Sequence, residues 1–200
     1  MRLHIRSSLY PPLYDILCVP LFMGSRRDET PFLESITPGT HQGPFRAPRL
    51  PDGSKREMDF ADSSFFRMSN RSLPTLTQVK ALSNDLYTHP QPTPVVFEDL
   101  NLLVKLGCNV TVSEAQCLWM IKRVFQDQVP VPEVFGWRVD EKGYVFIYME
   151  LVRGQTLNDR WDGLDHLDKV VLSDQLSDIV KTLRLLEPDS SDQYIGVFWF

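Results

Sequence analysis

Two charged residues stand in otherwise apolar segments of this sequence, and their types and spacing suit phosphate chemistry. Lys105 lies in the run Leu102-Leu-Val-Lys-Leu106, where an unpaired ammonium group would be costly to bury. Glu114 follows nine residues later and shares one face of a predicted helix with the apolar residues Leu118 and Ile121. A strand lysine and an inward helix glutamate can pair across a sheet–helix interface. The ammonium group is then placed to bind phosphate oxygens as a compact charge.

Each of these two residues also has a simpler explanation. Lys105 alone fits an edge-strand lysine whose side chain reaches solvent. Glu114 alone fits the capping box Thr111-Val-Ser-Glu114, in which the threonine hydroxyl and the glutamate carboxylate satisfy backbone donors at the start of a helix. The two roles of Glu114 compete for one carboxylate, and the sequence leaves both open.

The elements that would position this pair are predicted from residue 72 onward. Short apolar runs bounded by turn residues predict two β-hairpins, and the second of them has Gly143 in its turn. The strands are predicted at residues 95–97, 102–106, 133–139 and 144–149, and the helices at residues 73–83, 112–128, 157–161 and 165–186. The last helix has the clearest amphipathic pattern, because five apolar residues recur at 4-3-4-3 spacing. These are Leu172, Leu176, Ile179, Leu183 and Leu186.

Composition excludes several classes of protein. The 200 residues carry a net charge of −5, which argues against a nucleic-acid binder, because such proteins carry basic stripes. No run approaches 18 apolar residues, so no membrane partner is expected. The three cysteines, Cys18, Cys108 and Cys117, have neither disulfide-framework nor zinc-site spacing, and we therefore expect a reducing, cytoplasmic compartment.

The two halves of the chain differ in character. Most of the 15 prolines lie in residues 1–94, and segments such as 38–44 and 47–53 have loop compositions. We therefore predict a disordered or irregular leader over residues 1–71, with the folded part following it.

Four segments occur in an order and at a spacing that resemble a known family. They are Leu102-Leu-Val-Lys-Leu-Gly107, Val112-Ser-Glu-Ala115, Val129-Pro-Val-Pro-Glu-Val134 and Tyr148-Met-Glu-Leu-Val-Arg-Gly-Gln-Thr-Leu157, and Leu183-Arg-Leu-Leu186 and Tyr194-Ile-Gly196 fit the same pattern. Over residues 72–198 the chain resembles the aminoglycoside phosphotransferase/choline kinase family, most of all its fungal phosphotransferase-like branch. The resemblance implies an α+β, protein-kinase-like fold. An N-lobe of antiparallel sheet plus one packed helix would span residues 72–152, and the first helices of a truncated helical C-lobe would span residues 153–200.

The resemblance also implies ATP as the cofactor. Lys105 would contact the α- and β-phosphates, and Glu114 would anchor Lys105. Met149, Glu150, Leu151 and Val152 would form the hinge between the lobes, whose backbone would hydrogen-bond the adenine. The same four residues would otherwise simply end a strand.

The residues for phosphoryl transfer itself are missing from the pattern. The family places an H-G-D-x-x-x-x-N-like loop and a following aspartate, which holds Mg²⁺, in its large lobe. The H-x-D of this chain, His166-Leu-Asp168, is followed five positions later by Ser173 rather than asparagine. It also opens the last predicted helix, where an acidic residue favours the helix dipole. We therefore predict no catalytic or metal-binding residues, although Mg²⁺ is expected for the family.

The chain ends in the apolar run Gly196-Val-Phe-Trp-Phe200, from which we expect truncation and self-association through exposed apolar surface. The resulting hypothesis is a truncated, ATP-dependent small-molecule phosphotransferase-like protein, inactive alone. The alternative is a non-catalytic nucleotide-binding or protein-interaction module. A third outcome is a chain that yields no stable protein.

Overall fold

A computed structural model describes residues 44–68, 71–89 and 92–187. Within these ranges the protein is a mixed α+β structure built around a five-stranded antiparallel sheet, as the sequence predicted at the level of fold class. The apolar run at residues 196–200, most of the predicted leader and the segment 194–196 lie outside the described residues.

The strands are β1 (Phe45–Arg46), β2 (Glu57–Asp59), β3 (Val95–Phe97), β4 (Leu102–Gly107), β5 (Val134–Val139), β6 (Val145–Glu150) and β7 (Leu186–Glu187). The helices are α1 (Ser64–Arg67), α2 (Leu76–Leu82), α3 (Val112–Phe125), α4 (Leu157–Arg160) and α5 (His166–Leu183), with short 3-10 turns at Glu98–Leu100 and Trp161–Gly163.

The main sheet has the strand order β2-β5-β6-β4-β3, and all its neighbouring strands are antiparallel. Both predicted hairpins are confirmed. The β3–β4 connection turns through Asn101, which has a left-handed φ of 51°, and the β5–β6 turn uses Gly143 at φ 84°. The short strands β1 and β7 form a separate parallel pair that joins Phe45 to Leu186.

The two faces of the main sheet are covered by different helices. Because side chains alternate across a strand, neighbouring residues of β6 enter opposite cores. Ile147 packs in the core beneath α3, with Leu118 of that helix, whereas Phe146 packs in the other core, with Val79 of α2. The resemblance implied one packed helix, so α1 and α2 on the opposite face are an addition to that expectation.

Part of the predicted leader belongs to the folded structure. Strand β2 pairs with Gly136–Arg138 of β5 at the edge of the sheet, and Phe60 and Phe65 just after it are 7% and 2% exposed. The expectation of irregular structure through residue 71 is therefore corrected for residues 44–68. The sequence concealed this because β2 has only three residues and both its outer residues are exposed acids, so no apolar alternation is visible.

Two predicted helix ends also shift. Helix α3 ends at Phe125 rather than residue 128, because Gln126 adopts φ 50° and leaves the helical region. Helix α5 begins after Asp165, whose side chain accepts the Asp168 N–H, and ends at Leu183, so Leu186 lies in β7 instead of the helix. Among the described residues, none of the helices combines the length and apolarity needed to cross a membrane.

Candidate functional site

The pairing of Lys105 with Glu114 is confirmed by the structure. Lys105 Nζ lies 2.7 Å from Glu114 Oε1, and the two side chains are 24% and 13% exposed. Solvent and salt screen the attraction in a partly buried ion pair less than in a surface pair. The pair therefore holds both groups in one geometry. The ammonium group is therefore fixed at the interface between the sheet and α3.

Strand β4 determines the direction of Lys105. Its neighbours Val104 and Leu106 are buried in the core on the α2 side, so alternation puts Lys105 on the α3 side. In the sheet register Lys105 lies opposite Ile147 of β6, a core residue of that same side. Strand β4 is not an edge strand, because it has β3 on one side and β6 on the other, although its register with β3 ends at Val104, one residue before Lys105.

The N-terminus of α3 settles the competition for the Glu114 carboxylate. The Glu114 N–H donates to Thr111 Oγ1 at 3.2 Å, which is one of the two hydrogen bonds of a capping box. The carboxylate that would complete the box receives a hydrogen bond from Lys105 Nζ instead. Glu114 lies in the first turn of α3, where the helix dipole favours a negative charge.

The negative charge of Glu114 also affects the thiol of Cys117, which lies one turn further along α3. Burial, and then the negative charge of Glu114, raise the pKa of the Cys117 thiol to about 11. Both effects favour the neutral thiol of Cys117 over the reactive thiolate at physiological pH.

The predicted hinge residues lie at the end of the strand next to Lys105. Met149 is two residues beyond Ile147 on β6, so it shares the side of the sheet on which Lys105 lies, and it is part of the core beneath α3. The Glu150 N–H donates to Glu133 O at 2.8 Å, which fixes the strand end.

Beyond β6 the backbone leaves the sheet. The Leu151 N–H donates to Asn101 O at 3.0 Å, and among the described residues no backbone hydrogen bond is made by Val152. The backbone of Val152 is therefore unpaired within the described part of the chain. The structure thus brings Lys105 and Glu114 into contact and puts Met149–Val152 at the end of the adjacent strand.

The resemblance implies two groups, ATP and Mg²⁺. A nucleotide needs a cation for its phosphates and amide groups for its base, and the chain has a held ammonium group at Lys105 and unpaired backbone at Val152, beyond the end of the neighbouring strand. Within the described ranges no three His, Cys, Asp or Glu side chains come together as metal ligands would. His166 and Asp168 lie in the first turn of α5, and the Asp168 N–H is bound to the Asp165 cap at 2.8 Å.

A second ion pair, on the opposite face of the sheet, was not predicted from the sequence. Lys80 Nζ of α2 lies 2.7 Å from Asp140 Oδ2, and the side chains are 23% and 0% exposed. Asp140 Oδ1 also accepts the N–H groups of Lys142 and Tyr144. Burial acts to raise the pKa of Asp140, but Lys80 and these two backbone donors outweigh it and hold that pKa below its usual value. In the sequence Asp140 looks like an ordinary turn residue, and its lysine partner is 60 positions away.

Comparison with known proteins adds no assignment. No protein-family model matches the chain, and neither a curated protein nor a solved structure does. The functional argument therefore depends on the geometry of this site and on the segments quoted above.

Proposed function

We propose that this chain is the nucleotide-binding part of an ATP-dependent small-molecule phosphotransferase-like protein, with a protein-kinase-like N-lobe, and that it binds ATP without transferring phosphate on its own. The observation that carries the proposal is the 2.7 Å contact between Lys105 and Glu114 across the sheet–helix interface. The strand neighbours Val104 and Leu106 face the other core, so of these three residues only Lys105 faces α3.

The order of strands and helices along the chain supports the proposed protein-kinase-like N-lobe. A β-hairpin (β3–β4) is followed by α3 and then by a second hairpin (β5–β6), and β6 lies between β4 and β5 in the sheet. Lys105 lies on β4, the second strand of the first hairpin, and Glu114 lies on α3, the helix that follows it. With this order, the strand that carries Lys105 is the neighbour of β6, beyond whose end the proposed adenine-binding backbone lies.

Each residue has a distinct part in the proposed binding. Lys105 would neutralise phosphate oxygens as a point charge, and Glu114 would keep the ammonium group directed at them. Of the predicted hinge Met149–Val152, the backbone of Val152 would hydrogen-bond the adenine, because the N–H groups of Glu150 and Leu151 are already bound within the protein. The proposal covers nucleotide binding and not phosphoryl transfer, because the H-x-D of this chain, His166-Leu-Asp168, is not followed by the asparagine of the family's catalytic loop.

One observation favours the alternative, a protein-interaction module. In the first turns of α5 three apolar side chains face solvent, with Leu167 68%, Val170 43% and Val171 49% exposed. Exposed apolar patches mark interaction surfaces. If self-association uses this surface, sedimentation will show a concentration-dependent oligomer that Leu167→Ser with Val171→Ser abolishes. A monomer at all concentrations would remove self-association through this surface.

Titration of the whole chain with a fluorescent ATP analogue tests the proposed nucleotide binding. We expect saturable binding with and without Mg²⁺, and binding by Lys105→Met weaker by about ten- to a hundred-fold, because a charge-assisted hydrogen bond is lost. Glu114→Gln should weaken binding less, since the ammonium group remains.

Lys80→Met is the matched control. Lys80 has almost the same exposure as Lys105 and the same 2.7 Å distance to its acidic partner, but it lies on the opposite face of the sheet. It should lose stability without losing affinity for the analogue. Equal binding by wild type and Lys105→Met, or no binding by either, would overturn the proposed role of Lys105.

A further inference from the structure

A cleft of about 290 Å³ opens between the β2–α1 segment and the C-terminal half of α3. Its lining residues Phe60, Trp119 and Lys122 are separate from the Lys105 site, because Glu114 lies at the other end of α3. At its edge Gln126 has φ 50° and ψ −115°, a backbone conformation that residues other than glycine rarely adopt. Strained backbone of this kind concentrates at ligand sites.

One wall of the cleft is aromatic. The rings of Phe60 and Trp119 are stacked, with centroids 5.7 Å apart and planes inclined at 26°. The Arg123 guanidinium lies 4.9 Å from the centre of the Trp119 ring. These contacts hold the half-buried Trp119 indole in one orientation against Phe60 and Arg123, and the part of the ring that they leave uncovered lines the cleft.

The acidic groups of the cleft are already engaged by neighbours. Arg123 Nη1 lies 2.7 Å from Asp62 Oδ2, and its hydrogen bond lowers the pKa of Asp62. Glu133 accepts the Ser64 N–H at 3.1 Å with one carboxylate oxygen and the Ser64 hydroxyl with the other. Arg123 balances the charge of Asp62, whereas Glu133 receives only neutral donors here and keeps its negative charge. The cleft is lined by three cationic and two anionic side chains, a formal balance of 3 − 2 = +1.

The cationic and neutral donors of the cleft are engaged less. Lys122 Nζ comes only within 3.8 Å of Asp127, whose side chain is fully exposed, so this pair is weak. Of the five guanidinium N–H groups of Arg67, the described residues engage one, which donates to Asp62 O at 3.3 Å. The Ser63 hydroxyl is buried and has no hydrogen-bond partner among the described residues. In a chain of net charge −5, the donors available at this cleft favour an anion.

We propose that this cleft binds a small ligand that combines a flat apolar group with an anionic group. The flat group packs against Trp119. The anionic group accepts hydrogen bonds from Lys122 and Arg67, which are the donors that the protein itself engages least. The site is independent of the proposed nucleotide site, since it uses none of the residues assigned there.

Phenyl phosphate is a probe that has both features, and the indole N–H resonance of Trp119 reports its binding. In the ¹⁵N-labelled full chain, assigned with Trp119→Phe, we expect phenyl phosphate to shift this resonance saturably. Phenol lacks the charge and inorganic phosphate lacks the ring, so the affinity of each should be lower than that of phenyl phosphate by about ten-fold or more.

Variants separate this site from the nucleotide site. Arg67→Gln with Lys122→Gln should weaken phenyl phosphate binding by about ten-fold or more, whereas Lys105→Met should leave it unchanged. The resonance of the fully buried Trp137 indole, which donates to Lys55 O, checks that each variant is folded. An unmoved Trp119 resonance, equal binding of phenol, or equal binding by the double variant would overturn the inference.

Discussion

Replacing Asp140 with asparagine should destabilise the protein by about 2 kcal/mol at neutral pH. The substitution keeps the shape of the side chain and its Oδ1 acceptor, so the N–H groups of Lys142 and Tyr144 keep their partner. It replaces Oδ2, the oxygen that faces Lys80, with an NH2 group, and so removes both the negative charge and the acceptor beside the ammonium group. The ammonium group of Lys80, 23% exposed, is then left without its closest counter-charge.

The structure sets the size of this effect. Removing one partner of a buried ion pair costs about 3–5 kcal/mol, whereas an exposed pair contributes about 0–1 kcal/mol. Asp140 is fully buried but Lys80 is not, and Glu141 Oε1 lies 3.4 Å from Lys80 Nζ as a second, exposed acid. An intermediate cost of about 2 kcal/mol follows, because Lys80 can turn toward solvent and Glu141. Lys80→Met, which leaves the buried carboxylate unpaired, should cost more.

Urea unfolding at several pH values measures the effect and its electrostatic origin. The pKa of Asp140 is lowered in the folded state, so its charged form contributes stability that is complete above the unfolded-state pKa of about 3.9. That contribution is lost as the pH falls through the lower folded-state pKa. The difference between wild type and Asp140→Asn should therefore be constant from pH 7 to 5 and should shrink below about pH 4.

Two results would refute this reasoning. One is equal stability of the two proteins at pH 7, which would mean that the pair contributes nothing. The other is a difference of unchanged size at pH 3, because at that pH protonation begins to make the wild-type aspartic acid resemble asparagine.

Other predictions concern backbone space and thiol chemistry. A Cβ at Gly136 would collide with the backbone carbonyl of Met58 on the adjacent strand β2, so Gly136→Ala should lower the urea midpoint by an amount equivalent to about 3 kcal/mol or more, whereas Gly163→Ala, which meets nothing within 4 Å, should be near neutral. Equal midpoints for these two variants would contradict the close approach of β2. The Cys117 thiol, with a pKa raised to about 11 by burial and by Glu114, should resist alkylation in the folded chain at pH 7.5 and react in urea, as measured by mass spectrometry. Rapid alkylation of the folded chain would show that the thiol is neither buried nor neutral.

Local patterns predicted those parts of the structure whose partners are near in sequence. The hairpins β3–β4 and β5–β6 follow from apolar runs around turn residues, and α5 follows from its apolar stripe. The Lys105–Glu114 pair could be found because a charge inside an apolar strand and another on a helix's inner face each need a partner. Which hydrogen bond Glu114 makes could not be predicted, since it depends on how far α3 lies from β4.

The remaining features depend on contacts between distant residues. Strand β2 has too little apolar pattern to be recognised, and only its pairing with Arg138 and Trp137 of β5 makes it a strand. The cleft on α3 joins Asp62 to Arg123, 61 residues apart, so no local signal reveals it. The i, i+4 spacing of Trp119 and Arg123 was the available hint, because such neighbours stack on a helix surface.

Whether Lys105 lies at the phosphates of bound ATP is tested most directly by covalent labelling. An acyl-phosphate derivative of ATP transfers its acyl group to a nearby lysine amine, which attacks the acyl carbonyl and displaces ATP. The proposed site predicts that mass spectrometry of the labelled chain finds acylation at Lys105, suppressed by excess ATP and absent at Lys80. Labelling that spares Lys105, or labelling of Lys105 that excess ATP does not reduce, would contradict the proposed nucleotide site.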